Sequence, residues 1–282
     1  MKANQAPYYA ALVLLCPAAC FGFTKLNSGT REAFEHYVIL SEASLDQGLH
    51  STTPLYVDTQ AGLKERLRSG ETIIERRTTL DNGRPIKIPD GKVHDWFGAM
   101  FIPGATLARV RSAMQDYDNY KTLYQPEVIE SKLKKREGDE YDIFLRLYKK
   151  QIITVVFNSD YHVRYGMIDA QHMYIISRST RIAEVRDPKR GYTEELPAGD
   201  DTGFLWNLNA YWRFEEADGG VYAECRAISL SRDVPFGLGW MIGSFVEKFP
   251  REALINTLRA TRKAVLGQEP GAGASRIPNR RS

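Results

Sequence analysis

Between residues 128 and 232 apolar and polar side chains alternate with a period of two, the spacing of strands that turn one face to a core. The pattern predicts six strands, over 128–136, 140–148, 151–164, 173–185, 204–215 and 221–232. Gly138-Asp139 and Lys149-Lys150 supply tight corners, and no helical stretch intervenes, so the strands read as an antiparallel meander. The connection 186–202 is polar and carries Pro and Gly, which predicts a surface loop.

From residue 238 to 266 the period becomes helical. Met241, Ile242, Phe245 and Phe249 form one apolar stripe, and Leu254, Leu258 and Val265 continue it beyond Pro250. A proline inside a helix removes a hydrogen bond and costs about 3 kcal/mol, so a bend or restart is expected there. Ahead of the meander, 92–102 reads as a strand stopped by Pro103-Gly104. Leu107, Val110, Met114 and Tyr117 follow at helical spacing within 105–124, with a break between two short helices at 116–120. Further upstream the pattern predicts a helix over 31–47, with Thr30 as its N-cap and Gly48 as its stop. A short strand at 54–58, a short helix at 63–69 and a strand at 71–80 come next. Asp81-Asn82-Gly83 is a hairpin signal leading into 84–88.

The first residues change the picture. Lys2 precedes an apolar stretch over 8–23 that ends in small residues, the layout of a secretory signal and too short to span a bilayer comfortably. Pro17-Ala18-Ala19-Cys20 is similar to a bacterial lipoprotein box with Pro17 where Leu is usual, so acylation at Cys20 stands beside plain cleavage. The expectation is an exported protein, periplasmic or secreted, with peripheral membrane association as an accompanying reading. The chain then divides into a signal peptide (1–23), an N-terminal extension (24–90), a main domain (91–266) and a disordered tail (267–282). Cys16 and Cys20 lie in the leader, which leaves Cys225 as a buried, unreactive thiol and no internal disulfide framework.

With 282 residues, 43% of them hydrophobic, the chain can bury a real core. Its net charge of +3 argues against a nucleic-acid partner. The basic run Lys132, Lys134, Lys135 and Arg136 reads as a solvated strand edge. His36, His50, His94, His162 and His172 show no metal-ligand spacing. Ser244 lacks the second glycine of a nucleophile elbow, and Gly237, Gly239 and Gly243 are spaced one residue too long for a dinucleotide loop. No catalytic residue, metal or cofactor is assigned.

Over 92–266 the order is strand, two short helices, six antiparallel strands and one long helix. That order resembles the helix-grip fold of the START-like superfamily, which includes lipid-transfer, polyketide-cyclase and coenzyme-Q-binding members. Local phrases carry it too: Phe101-Ile102-Pro103-Gly104, Tyr211-Trp212-Arg213-Phe214, Tyr222-Ala223-Glu224-Cys225 and Ile228-Ser229-Leu230-Ser231-Arg232. The resemblance implies an α+β fold: a curved antiparallel sheet around a long C-terminal helix, with an α/β N-terminal extension. It also implies a cavity between sheet and helix for a lipid or other hydrophobic ligand.

Strand parity puts Trp206, Leu208, Ala210, Trp212 and Phe214 on one face, and Tyr141, Ile143, Leu145 and Leu147 on another. Ala223, Cys225 and Ala227 are small enough to let another element approach. The expected ligand-binding residues are Trp96, Met100, Leu145, Leu147, Trp206, Tyr211, Trp212, Met241 and Phe245. Arg178, Arg181, Glu184, Arg213, Glu224 and Arg226 are expected to pair across strands on the outer face, or to send one arginine into the cavity. Three readings stay open: non-catalytic binding of an apolar molecule, a cyclase-type enzyme for which Arg181, Tyr211, Asp95 and His94 are the residues to inspect, and a structural envelope protein with a filled core.

Overall fold

The computed structural model of the chain describes residues 24–49, 53–150, 154–233 and 244–267. In chain order the elements are β1 (Thr24–Lys25), α1 (Ser28–Leu49), a 3-10 turn (Tyr56–Thr59), α2 (Leu63–Arg68), β2 (Ile73–Arg76), β3 (Leu80–Asp81), β4 (Arg84–Pro85) and β5 (Gly91–Pro103). Then come α3 (Leu107–Met114), a second 3-10 turn (Tyr117–Asn119), α4 (Tyr120–Leu123), β6 (Val128–Glu137), β7 (Glu140–Lys150), β8 (Thr154–Met167) and β9 (His172–Glu184). The chain closes with β10 (Asp200–Asp201), β11 (Asn207–Ala217), β12 (Gly220–Arg232) and α5 (Ser244–Gly267).

Eight strands form one antiparallel sheet in the order β2-β5-β12-β11-β9-β8-β7-β6. The meander is as its period predicts, and β5 joins it by pairing along the whole of β12. The helix α5 lies across the inner face. Gly98 in β5 sets its seat: a Cβ there would stand 2.6 Å from Leu258 Cδ1 and 3.2 Å from Leu254 Cδ2. This is the α+β, helix-grip arrangement. α5 continues through Pro250 as one helix, so of the bend or restart expected there the restart does not occur. Of the stripe expected on this helix, Met241 lies outside the described residues, and the side chain of Phe245 does too.

The outer face is covered as well, which an antiparallel sheet does not require. Phe34 and Tyr37 of α1 pack on Ile176, Tyr211, Ile228 and Leu230. Leu55, Val57, Leu63 and Leu67 pack on Phe97, Phe101 and Tyr222. Several upstream expectations are corrected by this docking. The N-cap of α1 is Asn27, whose Oδ1 accepts from Thr30 N at 2.8 Å, while the Thr30 hydroxyl donates to Pro89 O at 2.6 Å. Gly48 does not stop the helix; it makes room for Arg213, whose Nη1 would lie 2.8 Å from a Cβ at that position. Residues 54–58 do not form a strand, because Tyr56 N and Val57 N donate to the Glu224 carboxylate at 3.0 and 2.6 Å and the segment turns as a 3-10 helix. The strands around Asp81-Asn82-Gly83 are shorter than expected: β2 ends at Arg76 on the main sheet, and β3 and β4 pair only with each other. The 186–202 connection is not all surface, since Asp201 is buried and pairs through β10 with β1.

Candidate functional site: a cavity between the sheet and the C-terminal helix

The register aligns small residues in one row across the sheet. Ala227 of β12 faces Ala210 of β11, and Ala210 faces Ser177 of β9. The helix presents Ala253, Thr257 and Ala260 to the same space. Small groups opposed to small groups leave space between sheet and helix. A cavity of about 260 Å³ results. Leu145, Leu147 and Ile143 of β7, Leu208 and Trp212 of β11 and Cys225 of β12 complete its sides.

Tyrosines close one end. Tyr117, Tyr120 and Tyr124 from the α3–α4 region meet Tyr161 and Tyr165 from β8. The Tyr117 and Tyr165 hydroxyls are 2.7 Å apart, Tyr120 and Tyr165 donate to Met114 O at 2.6 and 2.7 Å, and Tyr124 bonds the Thr261 hydroxyl at 2.9 Å. Burial pushes the Tyr124 hydroxyl up to about 12 and raises the other four as well, so this wall stays uncharged at neutral pH. Tyr161 and its strand neighbour Ser159 have shielded hydroxyls with no hydrogen-bond partner among the described residues. Burial also raises the Cys225 thiol, which keeps it unreactive.

The other end has a polar rim where the end of β7 meets the start of α5. Lys149 and Phe249 are half-buried there, with Lys149 Nζ 4.8 Å from the Phe249 ring centroid. Asn256 donates to Glu127 Oε1 at 2.6 Å. Among the described lining residues Lys149 is the single cation and Glu127 the single carboxylate.

The expected site residues divide as follows. Leu145, Leu147 and Trp212 line the cavity. Met100 belongs to the packed core beneath α5 with 1% exposure and does not reach the cavity wall. Trp96 extends the small-residue row through its pairing with Ala227, and packs at the core's margin without lining the cavity. Trp206 precedes β11, so strand parity does not carry to it; it sits in the outer-face cluster, and its Nε1 donates to Asp201 Oδ1 at 3.0 Å. Tyr211 is one residue out of phase with Trp212 and also faces outward, donating to Glu42 Oε1 at 2.7 Å. Sequence reasoning does not reach Lys149, the tyrosine wall or the helix's small residues. The spacing of Tyr117, Tyr120 and Tyr124, three and then four residues apart, is the available signal for the wall.

The residues inspected for acid–base chemistry all lie elsewhere. Asp95 accepts a two-pronged bond from Arg226 at 2.9 and 2.5 Å on the outer face, and Arg181 pairs with Glu195. His94 bonds the Ser231 hydroxyl at 3.0 Å outside the lining. None of Arg178, Arg181, Glu184, Arg213, Glu224 and Arg226 lines the cavity. Arg178, Arg213 and Glu224 face outward and pair with the extension and not across strands: Arg178 with Glu42, Arg213 with Leu45 O and Pro54 O, Glu224 with Tyr56 and Val57 N–H. A larger crevice of about 610 Å³ lies under α1, lined by Arg77, Arg213, Glu224 and Arg226, yet each of these is already bonded to protein. No group of His, Cys, Asp and Glu among the described residues is arranged to hold a metal.

Two short helices follow a long strand, a meander returns to pair with it, and a C-terminal helix crosses the inner face. The architecture is that of the helix-grip fold. Neither a family model nor a curated protein matches the sequence. Among solved structures, a STAR-related lipid transfer protein from Xanthomonas axonopodis is similar, with 16% identity and a TM-score of 0.44 over 68% of this chain and 98% of that one. The Zhui aromatase/cyclase from Streptomyces sp. R1128 gives 10% identity and a TM-score of 0.43 over 65% and 100%. Human STARD10 gives 11% identity and a TM-score of 0.46 over 88% and 84%.

Proposed function

We propose that the protein binds one small, mostly apolar molecule in the cavity under α5, without transforming it. The carrying observation is the row Ala227–Ala210–Ser177 set against Ala253, Thr257 and Ala260, which leaves about 260 Å³ unfilled inside an otherwise packed core. Interiors are normally packed to crystal-like density, so a void of this size bounded by small side chains is the feature a filled structural core would lack. Binding is favoured over cyclase chemistry because the described wall carries neutral tyrosines and no histidine. A ten-carbon body buried at about 0.8 kcal/mol per methylene gives roughly 8 kcal/mol gross. Lost translational and rotational freedom takes back at least about 4 kcal/mol, so burial of the hydrocarbon alone gives an affinity of about millimolar or weaker.

The test is titration with N-phenyl-1-naphthylamine, an uncharged apolar fluorophore, against the wild-type chain and Ala210→Leu. Saturable binding that weakens at least about tenfold in Ala210→Leu, with a cooperative melt retained, supports the reading. No saturable binding by wild type, or equal binding by the filled variant, defeats it. The reading includes export from the cytoplasm, on the strength of the leader over 8–23; recovery of the chain in the cytoplasmic fraction, with an intact mass that retains those residues, would defeat that part.

A further inference from the structure

We infer that the ligand is a single-chain monoanion whose head group rests on Lys149, with its tail directed toward the tyrosine wall. The inference rests on the binding reading above and adds size, charge and orientation to it.

Parity first places the lysine. On β7 the inner-face residues are Tyr141, Ile143, Leu145 and Leu147, and the next in phase is Lys149. A cation on the inner face of a lipophilic strand is out of keeping with its neighbours. Among the described residues it has no carboxylate within ion-pair distance, whereas Arg146, three residues earlier on the opposite face, is paired with Glu130. Glu127, the rim's carboxylate, is turned to the helix by its bond with Asn256. What Lys149 touches is the Phe249 ring, which pins the ammonium at the opening beside α5.

The far end cannot take the head group. The Tyr117, Tyr120, Tyr124 and Tyr165 hydroxyls are bonded within the protein, Tyr161 offers only a neutral hydroxyl, and no cation among the described residues lines that end. A buried charge without a partner is strongly disfavoured. Size then selects the body. A dry cavity of about 150 Å³ holds benzene, so the present volume scales to roughly ten carbons. One chain or two fused rings fit, and two acyl chains do not. A carboxylate and a sulfate both satisfy the head-group chemistry.

The experiment displaces N-phenyl-1-naphthylamine from the full chain with sodium decanoate, sodium decyl sulfate, 1-decanol and decyltrimethylammonium, at low and at high salt. The expected result is that an anion binds about fivefold or more tighter than decanol, and that high salt erodes the advantage. In Lys149→Met the anion-to-decanol ratio falls to about one, and in Lys149→Glu it inverts in favour of the cation. The tighter of the two anions identifies the head group. Decanol equal to both anions in wild type, or an anion preference that survives in Lys149→Met, overturns the inference while leaving the cavity reading intact. Absence of saturable probe binding in wild type defeats the cavity reading and this one with it.

Discussion

The two faces of the same sheet follow opposite rules. Along β11 and β12, Trp212 and Cys225 point inward to a space left partly open, while their neighbours Arg213 and Glu224 point outward into a layer where charges are buried and bonded. Apart from Lys149 and Glu127 at its rim, the lining of the inner face is uncharged, and it is tolerant of empty volume. The outer face keeps Asp95, Arg213, Glu224 and Arg226 largely away from water, and each has protein partners from a different part of the chain. The difference teaches where rigidity comes from: the extension clamps the back of the sheet with directional bonds, so the front can afford a void.

The sharpest way to break that contrast is on the outer face. Arg226 gives Asp95 a two-pronged bond and also donates to the Thr79 hydroxyl at 2.8 Å, and Tyr37 donates to the same Asp95 at 2.8 Å. Arg226→Met leaves a carboxylate at 2% exposure with only the tyrosine for company. Removing one partner of a buried pair costs about 3–5 kcal/mol. Urea denaturation should show a loss of that size; a loss below about 1 kcal/mol would mean the outer layer is no clamp.

Next in size is a dependence on pH. Burial pushes the Glu224 carboxyl up to about 7 against hydrogen bonds from Val57 and Tyr56 and the charge of Arg213, and burial pushes Glu184 up to about 7 against a bond from Thr202. An acid whose folded value is raised binds its proton more readily folded than unfolded. Its contribution is therefore complete below the unfolded value of 4.5, falls as pH rises, and is gone above about 7. Each such carboxyl weakens folding by about 1.4 kcal/mol per pH unit across that window. With relaxation of the buried sites allowed for, unfolding free energy should drop by on the order of 3 kcal/mol between pH 5 and pH 8. Glu224→Gln should flatten part of that slope. A stability that rises with pH over this window would contradict the placement of both carboxyls.

Period-two alternation makes the meander legible in the sequence alone, and the helical stripe through Leu254, Leu258 and Val265 does the same for α5. What periodicity cannot carry is phase at strand ends and partners far away in sequence. Counting back from Trp212 puts Trp206 on the inner face, but the strand begins at Asn207, so the count has no meaning there. Two consecutive lysines, Lys149 and Lys150, read as a corner, whereas β7 runs on through Lys150 and keeps its phase. Glu224 looks like one half of a cross-strand pair; its partners are the N–H groups of Tyr56 and Val57, 168 and 167 residues away, which no local pattern announces. The cavity itself is legible only in part, since Ala223, Cys225 and Ala227 are visible as small but the row through Ala210 and Ser177 depends on register.

The smallest expected effect tests the inner face on its own terms. If that face is tolerant, removing a polar group without a partner should cost little, while removing one that is bonded should cost about the worth of a hydrogen bond, 0.5–1.5 kcal/mol. Tyr161 and Tyr124 supply the pair: both are buried tyrosines on the cavity wall, but only Tyr124 bonds a neighbour, the Thr261 hydroxyl at 2.9 Å. Tyr161→Phe should therefore leave the urea midpoint unchanged or raise it slightly, and Tyr124→Phe should lower stability by about 1 kcal/mol. Equal losses in the two variants would show that the Tyr161 hydroxyl is satisfied after all, by Ser159 or by water held in the cavity. The wall behind the ligand's tail would then be wetter than its apolar lining implies, and the preference for a hydrocarbon end there would weaken with it.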